Sequence, residues 1–229
     1  MQITALYDDA LPRLVLFDLD GTLLDSAPDL TLAIDRMLAS LDRPIAGPER
    51  VRNWVGNGAQ MLVRRALTQS DTPCGDEPEL ALFNQAFELF LKHYGQCCAE
   101  QSTLYPGVQE LISFLYDSQV SMGLVTNKPM SFTETLLDEF SLRRYFSVVL
   151  GGDSLSEKKP HPMPLQYAMD KLKVTPLQTL MVGDSRSDIK AAQAAGCKVA
   201  AVSYGYNHGE LVSSYNPDII IDNLIELIN

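Results

Sequence analysis

The sequence predicts an α/β protein with a Rossmann-like three-layer core around a parallel sheet, interrupted by an inserted all-helical domain. Two patterns lead to this fold class. From Leu104 onward, short apolar runs alternate with amphipathic stretches, which is typical of parallel strands joined by helices. Between the first apolar run, residues 14–17, and Leu104, the chain keeps a helical period instead. We therefore expect the first strand to be separated from the others by a helical insertion.

Composition and charge indicate an ordinary globular protein. Of 229 residues, 46% are hydrophobic and 21% charged, and the net charge is −11. An acidic chain is a poor candidate for nucleic-acid binding, which needs a basic face. The chain has no apolar run near the ~20 residues of a membrane span, and residues 1–10 do not resemble a signal peptide. The four cysteines lack metal-binding spacing. We expect a cytoplasmic protein with reduced thiols that binds neither nucleic acid nor membrane.

The elements of the core can be assigned in chain order. Leu14 to Phe17 is predicted to be a buried strand because it is a short β-prone run bounded by polar residues. Pro106 and Gly107 start a predicted helix that continues through Leu111, Ile112 and Leu115. Further strands are predicted at 120–126, 146–150, 178–182, 198–203 and 218–221, and further helices at 131–141, 162–172, 186–195 and after the last strand.

The insertion is predicted to contain a series of helices. Apolar residues recur at helical spacing from Leu30 to Leu41, and Pro48 is well placed to open a second helix. Gly56 and Gly58 mark a break before a third helix. Residues 70–78 form a loop by composition, and a longer helix follows over 79–98. One face of that helix carries aromatic residues, for which core packing is a better explanation than ligand binding: Phe83, Phe87, Phe90 and Tyr94.

The first strand ends in two carboxylates, Asp18 and Asp20. Ligands of open α/β sheets bind at the carboxyl ends of the strands, so this position is a candidate reaction site. Two neighbouring carboxylates repel each other unless a cation binds or a pKa rises, and Mg²⁺ prefers oxygen ligands. Gly21 permits an unusual backbone path, and the Thr22 hydroxyl can donate to an anion or to a carboxylate. An isolated Asp-x-Asp is equally consistent with a solvated turn.

Polar groups also follow three further predicted strands. Thr126 and Asn127 could donate to phosphate oxygens, and Lys159 could neutralise an anion or a charged nucleophile. Asp184 adds a carboxylate at another strand end, and Asp188 lies one turn into the following helix, where an aspartate also favours the helix dipole. Each of these features has an ordinary structural explanation by itself. Together they indicate one anion-handling site.

The four segments, in chain order FDLDGT, VTN, KP and VGDSRSD, resemble the motifs of the haloacid dehalogenase superfamily of phosphohydrolases. The motifs are distributed along the whole predicted core. The resemblance implies that the helical insertion is the helical cap of that family, with 1–25 and 104–229 as the α/β catalytic core and 26–103 as the cap. Asp20 favours phosphoryl chemistry over dehalogenation, because a phosphate ester needs an acid for its leaving oxygen.

The resemblance also implies roles for the reacting carboxylates. Asp18 would be the nucleophile that becomes an aspartyl-phosphate. Asp20 would be the general acid and base, and its backbone carbonyl would bind the metal. Asp184 would share the ion with Asp18, whereas Asp188 would support the site without binding the ion. The cofactor implied is Mg²⁺.

The remaining matched residues are implied to bind the substrate. Thr126 and Asn127 correspond to phosphate-binding groups, and Lys159 to the lysine that offsets the charge on the nucleophile and on the phosphoryl group. The partner is then a small phosphorylated metabolite, bound by a monomer or a homodimer.

Residues 52–59 of the insertion, with segments 159–162, 183–188 and 205–207, are similar to bacterial members of the family that hydrolyse 2-phosphoglycolate to glycolate and phosphate. Arg52, Arg64 or Arg65 could meet the carboxylate of that substrate, although most helical arginines are solvated. Three alternatives stay open: a phosphatase for a nucleotide, sugar phosphate or pyridoxal phosphate, a phosphomutase, or a receiver-like phosphoacceptor. Neither the cap nor Asp20 is expected in a receiver.

Overall fold

The computed structural model describes residues 1–71 and 78–229. Six parallel strands form the main sheet in the order β5-β4-β1-β6-β7-β8, and two short strands, β2 and β3, pair antiparallel. The strands are β1 (Leu14–Phe17), β2 (Leu24–Asp25), β3 (Thr103–Leu104), β4 (Ser121–Val125), β5 (Val148–Leu150), β6 (Thr179–Gly183), β7 (Lys198–Val202) and β8 (Ile219–Ile221).

The helices occur between the strands. They are α1 (Gln2–Ala5), α2 (Ala27–Ser40), α3 (Pro48–Trp54), α4 (Ala59–Thr68), α5 (Leu80–Cys97), α6 (Val108–Asp117), α7 (Met130–Glu139), α8 (Met163–Leu172) and α9 (Arg186–Ala195). Short 3₁₀ turns lie at Arg143–Tyr145, Pro176–Gln178, Val212–Tyr215 and Leu224–Leu227.

The central strand β1 is apolar along its whole length because both faces of the sheet are covered. Val15 and Phe17 pack into one hydrophobic cluster with residues of α6 and α7, whereas Leu14 and Leu16 pack into another with residues of α8 and α9. Successive side chains of a strand point to opposite faces. The result is the predicted three-layer α/β core, and the polar residues after β1 lie at the carboxyl edge of the sheet.

The helical insertion has its own hydrophobic cluster. Helix α2 packs on α5, α3 and α4, and Trp54 and Phe90 are among the buried residues of this cluster. The chain passes between the α/β core and the insertion twice, at β2 and at β3, and we call this pair of segments the crossing. The two segments lie side by side, since Asp25 of β2 pairs with Thr103 of β3. The division at residues 26 and 103 stays a prediction, which the separate cluster and this paired crossing support.

Most predicted elements occur within two residues of their expected bounds, and α9 matches its predicted range. The helical turn α1 and the β2–β3 pair were not predicted, since four-residue and two-residue segments carry too little periodicity. The predicted loop at 70–78 falls largely on residues 72–77, outside the described residues, as does Cys74. Cys97, Cys98 and Cys197 are free and buried. Within the described ranges, no helix has the length and apolar character needed to cross a membrane.

Candidate active site

Polar side chains predicted from separate segments converge at the carboxyl edge of the sheet. Asp18 follows β1, Thr126 follows β4 and Asp184 follows β6, which are neighbouring strands. Lys159 reaches the same edge from the loop between β5 and α8, and Asp188 from the first turn of α9. All five side chains are buried. The parallel topology thus produces the predicted cluster.

Lys159 joins two of the carboxylates. Its Nζ lies 2.8 Å from Asp18 Oδ1 and 2.6 Å from Asp188 Oδ1, and the lysine side chain is 2% exposed. Burial lowers the pKa of Lys159, but the two aspartates outweigh it and leave that pKa above its ordinary value. Burial raises the pKa of Asp18 to about 6, against the opposing effect of Lys159. Lys159 is therefore a fixed cation beside the Asp18 carboxylate, whose charged form is disfavoured by burial.

Asp184 is held in place by two separate parts of the chain. Its Oδ1 accepts a hydrogen bond from the Thr22 hydroxyl at 3.1 Å, as the sequence suggested for that hydroxyl, and its Oδ2 accepts one from the Tyr206 backbone N–H. Gly21 has φ of +86°, and a Cβ there would lie 2.3 Å from Asp184 Oδ2. Only glycine fits this backbone path so close to the carboxylate.

Asp188 has a structural role in α9 besides its contact with Lys159. Its Oδ2 accepts hydrogen bonds from the backbone N–H of Ser185 at 3.1 Å and from the Ser185 hydroxyl at 2.6 Å. This is the capping-box arrangement, with Ser185 as the N-cap. Both oxygens of Asp188 are thus engaged by the protein, in agreement with a supporting role.

The carboxylate cluster suits a hard divalent cation. Asp18, Asp184 and Asp188 each offer an oxygen, and these oxygens lie within 4.8 Å of one another. Burial, followed by the charges of Asp188 and Asp18, raises the pKa of Asp184 well above its ordinary range. Lys159 supplies one positive charge to these three buried carboxylates. Oxygen donors with uncompensated negative charge are what Mg²⁺ binds, so the residues present fit the ion implied by the motifs.

Asp20 lies apart from that cluster and has different partners. Lys128 Nζ lies 3.0 Å from its Oδ1 and 3.1 Å from its Oδ2, and the Ser26 hydroxyl donates to Oδ1 at 2.5 Å. The Lys128 side chain is 3% exposed, and Nζ also sits 4.7 Å from the centre of the Tyr94 ring of α5. Lys128 and Ser26 were missed in the sequence. The available signal for Lys128 was its position directly after Asn127 at a strand end.

The two residues predicted to bind phosphate line the same cavity as Asp18 and Asp20. The Thr126 Oγ1 accepts from the backbone N–H of Lys128 at 3.3 Å, and Asn127 Nδ2 donates to the Lys159 carbonyl at 2.9 Å. Asn127 Oδ1 is buried without a hydrogen-bond partner among the described atoms. Asn127 thus ties the loop of Lys159 to the end of β4.

The cavity over these residues is small, about 40 Å³, and is partly covered by the helices of the insertion, α2 to α5, which form the helical layer. Its polar floor comes from the carboxyl edge of the sheet, and most of its roof is apolar or backbone: Leu30, Val55, Gly56, Gly58, Ala59, Leu62, Phe90 and Tyr94. Phe90 and Tyr94 therefore line the cavity in addition to packing in the helical cluster. The packing role was expected for them, whereas the lining role was not.

The arginines suggested as carboxylate ligands do not line this cavity. Arg65 is buried and donates to the backbone carbonyls of Trp54 and Asp71 and to the side chain of Asn57. Arg52 pairs with Asp25 at 3.3 Å, beside the β2–β3 crossing. Arg65 thus joins parts of the helical layer to one another, and Arg52 joins that layer to the crossing.

Arg64 has a different environment on the same layer. Its guanidinium stacks over the Phe83 ring, 4.2 Å from the ring centre. It is also absent from the cavity lining. The suggestion that a cap arginine meets the substrate thus finds no support in the geometry of Arg52, Arg64 or Arg65.

The fold and the convergent aspartates define a class of protein that comparison with known families also identifies. Residues 15–202 match the model of the haloacid dehalogenase-like hydrolases, and the chain belongs to that family. This membership confirms the class predicted from the four motifs. The protein is therefore an enzyme, a hydrolase built on an α/β core with helices over the carboxyl edge of its sheet.

Within this family, the chain is similar to proteins named as phosphoglycolate phosphatases. The chain is 51% identical to a phosphoglycolate phosphatase of Pseudomonas savastanoi pv. phaseolicola, over 97% of this chain and 81% of the relative. It is 45% identical to a phosphoglycolate phosphatase of Nitrosococcus oceani, over 95% of this chain and 96% of the relative. The crystal structure of a predicted phosphoglycolate phosphatase from Haemophilus somnus 129PT superposes with a TM-score of 0.88 at 38% identity, covering 94% of this chain and 96% of the other.

Proposed function

We propose that the protein is a Mg²⁺-dependent phosphatase that hydrolyses 2-phosphoglycolate to glycolate and phosphate through an aspartyl-phosphate. The observation that carries this proposal is the buried Asp18, which lies 2.8 Å from Lys159, is grouped with Asp184 and Asp188, and lines a small cavity. The names of relatives up to 51% identical supply the substrate.

In the first step, a carboxylate oxygen of Asp18 attacks phosphorus as the ester bond to the glycolate oxygen breaks. Lys159 Nζ, already in contact with Asp18, neutralises charge on this oxygen and on the incoming phosphoryl group. Thr126 and Asn127 line the same cavity and donate to the phosphoryl oxygens. Asp20 gives its proton to the leaving oxygen, so glycolate departs as a neutral alcohol at that position.

In the second step, Asp20 accepts a proton from a water molecule that attacks the phosphorus of the aspartyl-phosphate. The bond between phosphorus and the Asp18 oxygen breaks, which releases phosphate and restores the Asp18 carboxylate. Asp20 can serve both steps because the hydroxyl of Ser26 and the ammonium of Lys128 fix its carboxyl group. Asp20 thus ends the cycle with the proton that it needs for the next leaving group.

The metal would be held by the carboxylates of Asp18 and Asp184 and by the backbone carbonyl of Asp20. Mg²⁺ bound there supplies charge neutralisation for the phosphoryl group and alignment for in-line transfer. Asp188 keeps Lys159 and the start of α9 in position. Asp184 is kept in position by Thr22 and Tyr206.

The domain division belongs to the same proposal. Residues 1–25 and 104–229 form the catalytic core, and residues 26–103 form a cap that moves about the β2–β3 crossing to admit substrate and release products. The position of the insertion supports this, since its side chains line the cavity above Asp18 and restrict the path of a substrate to that residue. The enzyme works in the cytoplasm as a monomer or a homodimer.

The test is phosphate release from a panel of 2-phosphoglycolate, sugar phosphates, nucleotides and pyridoxal phosphate, with Mg²⁺ and with chelator. We expect a preference of at least ~100-fold in kcat/KM for 2-phosphoglycolate, no release with chelator, and none by Asp18→Asn. A different preferred substrate would overturn the narrow assignment but not the chemistry. Release that continues in chelator would contradict the metal dependence.

A further inference from the structure

One basic side chain lines the cavity, and it is placed to meet a second anionic group on the substrate. The chain has 18 lysines and arginines, and every one lies in the described ranges 1–71 and 78–229. Among them, Lys128 is the one that lines the cavity. Lys159 is engaged by Asp18 and Asp188. In the helical layer, Arg52 is bound to Asp25, Arg65 to backbone carbonyls, and Arg64 lies over an aromatic ring.

The surroundings of Lys128 stabilise a positive charge on its buried side chain. Its side chain is 3% exposed, and its Nζ is 3.0 Å from Asp20 Oδ1 and 4.7 Å from the centre of the Tyr94 ring. The carboxylate and the aromatic face both stabilise a buried ammonium. The ammonium has three N–H donors, so it can bind Asp20 and a further acceptor at the same time.

The chemistry of 2-phosphoglycolate places its carboxylate within reach of this ammonium. A single methylene separates the ester oxygen from the carboxylate. Protonation by Asp20 requires that ester oxygen to lie about 2.6–3.2 Å from the Asp20 carboxyl group, which is also the neighbour of Lys128 Nζ. A carboxylate one carbon beyond the ester oxygen would otherwise face the Asp20 carboxyl group and an apolar roof.

We propose that Lys128 is the specificity-determining residue that binds the carboxylate of the substrate, on the basis of its ammonium at the junction of Asp20, Tyr94 and the cavity. The inference rests on the proposed function and goes beyond it, because it assigns carboxylate recognition to the core and not to a cap arginine. Binding of the substrate carboxylate also draws the ammonium partly away from Asp20, so the acid is exposed to the leaving oxygen when the correct substrate is present.

The experiment compares 2-phosphoglycolate with 2-hydroxyethyl phosphate, which has a hydroxymethyl group in place of the carboxylate. The readout is the ratio of kcat/KM for the two substrates in the wild-type enzyme, Lys128→Met, Lys128→Arg and Arg52→Met. The ratio cancels any loss that the Lys128 variants suffer through Asp20, because both substrates need that acid.

We expect Lys128→Met to lower this ratio about 100-fold, mainly by raising KM for 2-phosphoglycolate. Lys128→Arg, which keeps the charge, retains most of the ratio, and Arg52→Met leaves it within about 3-fold of the wild type. Lys128→Gln repeats the comparison if the methionine variant does not fold, as judged by circular dichroism.

An equal loss on both substrates in Lys128→Met would overturn the inference and leave Lys128 as a positioning residue for Asp20. A collapse of the ratio in Arg52→Met would overturn it in favour of the cap. Failure of the proposed function gives a different result, because the wild-type enzyme itself would then show no preference for 2-phosphoglycolate over 2-hydroxyethyl phosphate.

Discussion

At the residue scale, the site depends on the pairing of buried charges. Asp18, Asp184 and Asp188 are at most 8% exposed, and Lys159 contacts two of them. Burying a carboxylate is costly unless a cation or hydrogen-bond donors compensate it. Asp188 has both a cation, Lys159, and the donor groups of Ser185. Asp184 accepts two hydrogen bonds but contacts no cation among the described residues, and burial and acidic neighbours raise its pKa. This imbalance supports the proposal that Asp18 and Asp184 bind the ion.

Metal binding by Asp184 predicts a measurable stabilisation of the folded enzyme. At a Mg²⁺ concentration 100 times the dissociation constant, the free energy of unfolding should rise by about 2.7 kcal/mol. For a chain of this size, that corresponds to about 5–10 °C in Tm. Asp184→Asn should abolish this shift, measured by differential scanning calorimetry with and without Mg²⁺.

The matched control is Asp170→Asn, which removes an exposed carboxylate of α8 and should keep the full Mg²⁺ shift. An undiminished shift in Asp184→Asn would contradict the assignment of this side chain as a ligand.

The sequence predicted the aspartates and Lys159 better than it predicted their neighbours. Asp18 and Asp184 follow buried strands directly, so the topology alone fixes their positions. The direction of a long side chain is not fixed in this way. Lys128 could equally have pointed to solvent, and its contact with Asp20 depends on the Tyr94 ring supplied by a distant helix. For the same reason, the inward direction suggested for the cap arginines was not found.

At the scale of elements, two crossings connect the helical layer to the sheet, and a buried aspartate of α2 links them. Asp29 is fully buried. Its carboxylate accepts hydrogen bonds from the backbone N–H groups of Gln101 and Ser102 at 2.9 and 2.8 Å, and from the Ser102 hydroxyl at 2.6 Å. The start of the insertion is thus bound to its end, next to the β2–β3 pair.

Removal of this link should destabilise the protein. Asp29→Ala leaves the buried backbone N–H and hydroxyl of Ser102, and the partly buried N–H of Gln101, without their acceptor. We therefore expect the free energy of unfolding to fall by about 2–4 kcal/mol. Urea denaturation followed by circular dichroism measures the change. Asp35→Ala is the control on the same helix: this half-buried carboxylate accepts from the backbone N–H groups of Ala46 and Gly47.

The control should cost about 1 kcal/mol, since water can replace a partly exposed acceptor. If Asp29→Ala cost no more than Asp35→Ala, the link would not contribute as described.

The elements that the sequence predicted well are those with strong periodicity. Helix α9 and strand β1 were found at their expected bounds because apolar residues and a capping sequence mark them. The β2–β3 pair was missed since each strand has two residues and their pairing is long-range. Asp29 gave no signal either, because an aspartate in the first turn of a helix is ordinary.

At the scale of the whole molecule, one loop contacts the sheet edge, the crossing and the helical layer. Tyr206 donates its backbone N–H to Asp184 and its hydroxyl to Asp25, and His208 Nδ1 lies 2.6 Å from the carbonyl oxygen of Asn53 in α3. The segment from Tyr206 to His208 therefore connects the carboxylate cluster to the helical layer. We infer that the site takes its active form when the helical layer lies over the edge of the sheet.

A burst experiment with Asp20→Asn and p-nitrophenyl phosphate is the direct test of the two-step mechanism through Asp18. The nitrophenolate leaves without an acid, so Asp18 should still be phosphorylated, whereas water attack should stall without the base at position 20. We predict a burst of about one nitrophenolate per enzyme and a phosphoryl group on Asp18, identified by mass spectrometry. Asp18→Asn combined with Asp20→Asn should give neither. The absence of both burst and modified Asp18 in Asp20→Asn, or a phosphoryl group on another side chain, would contradict the proposed mechanism.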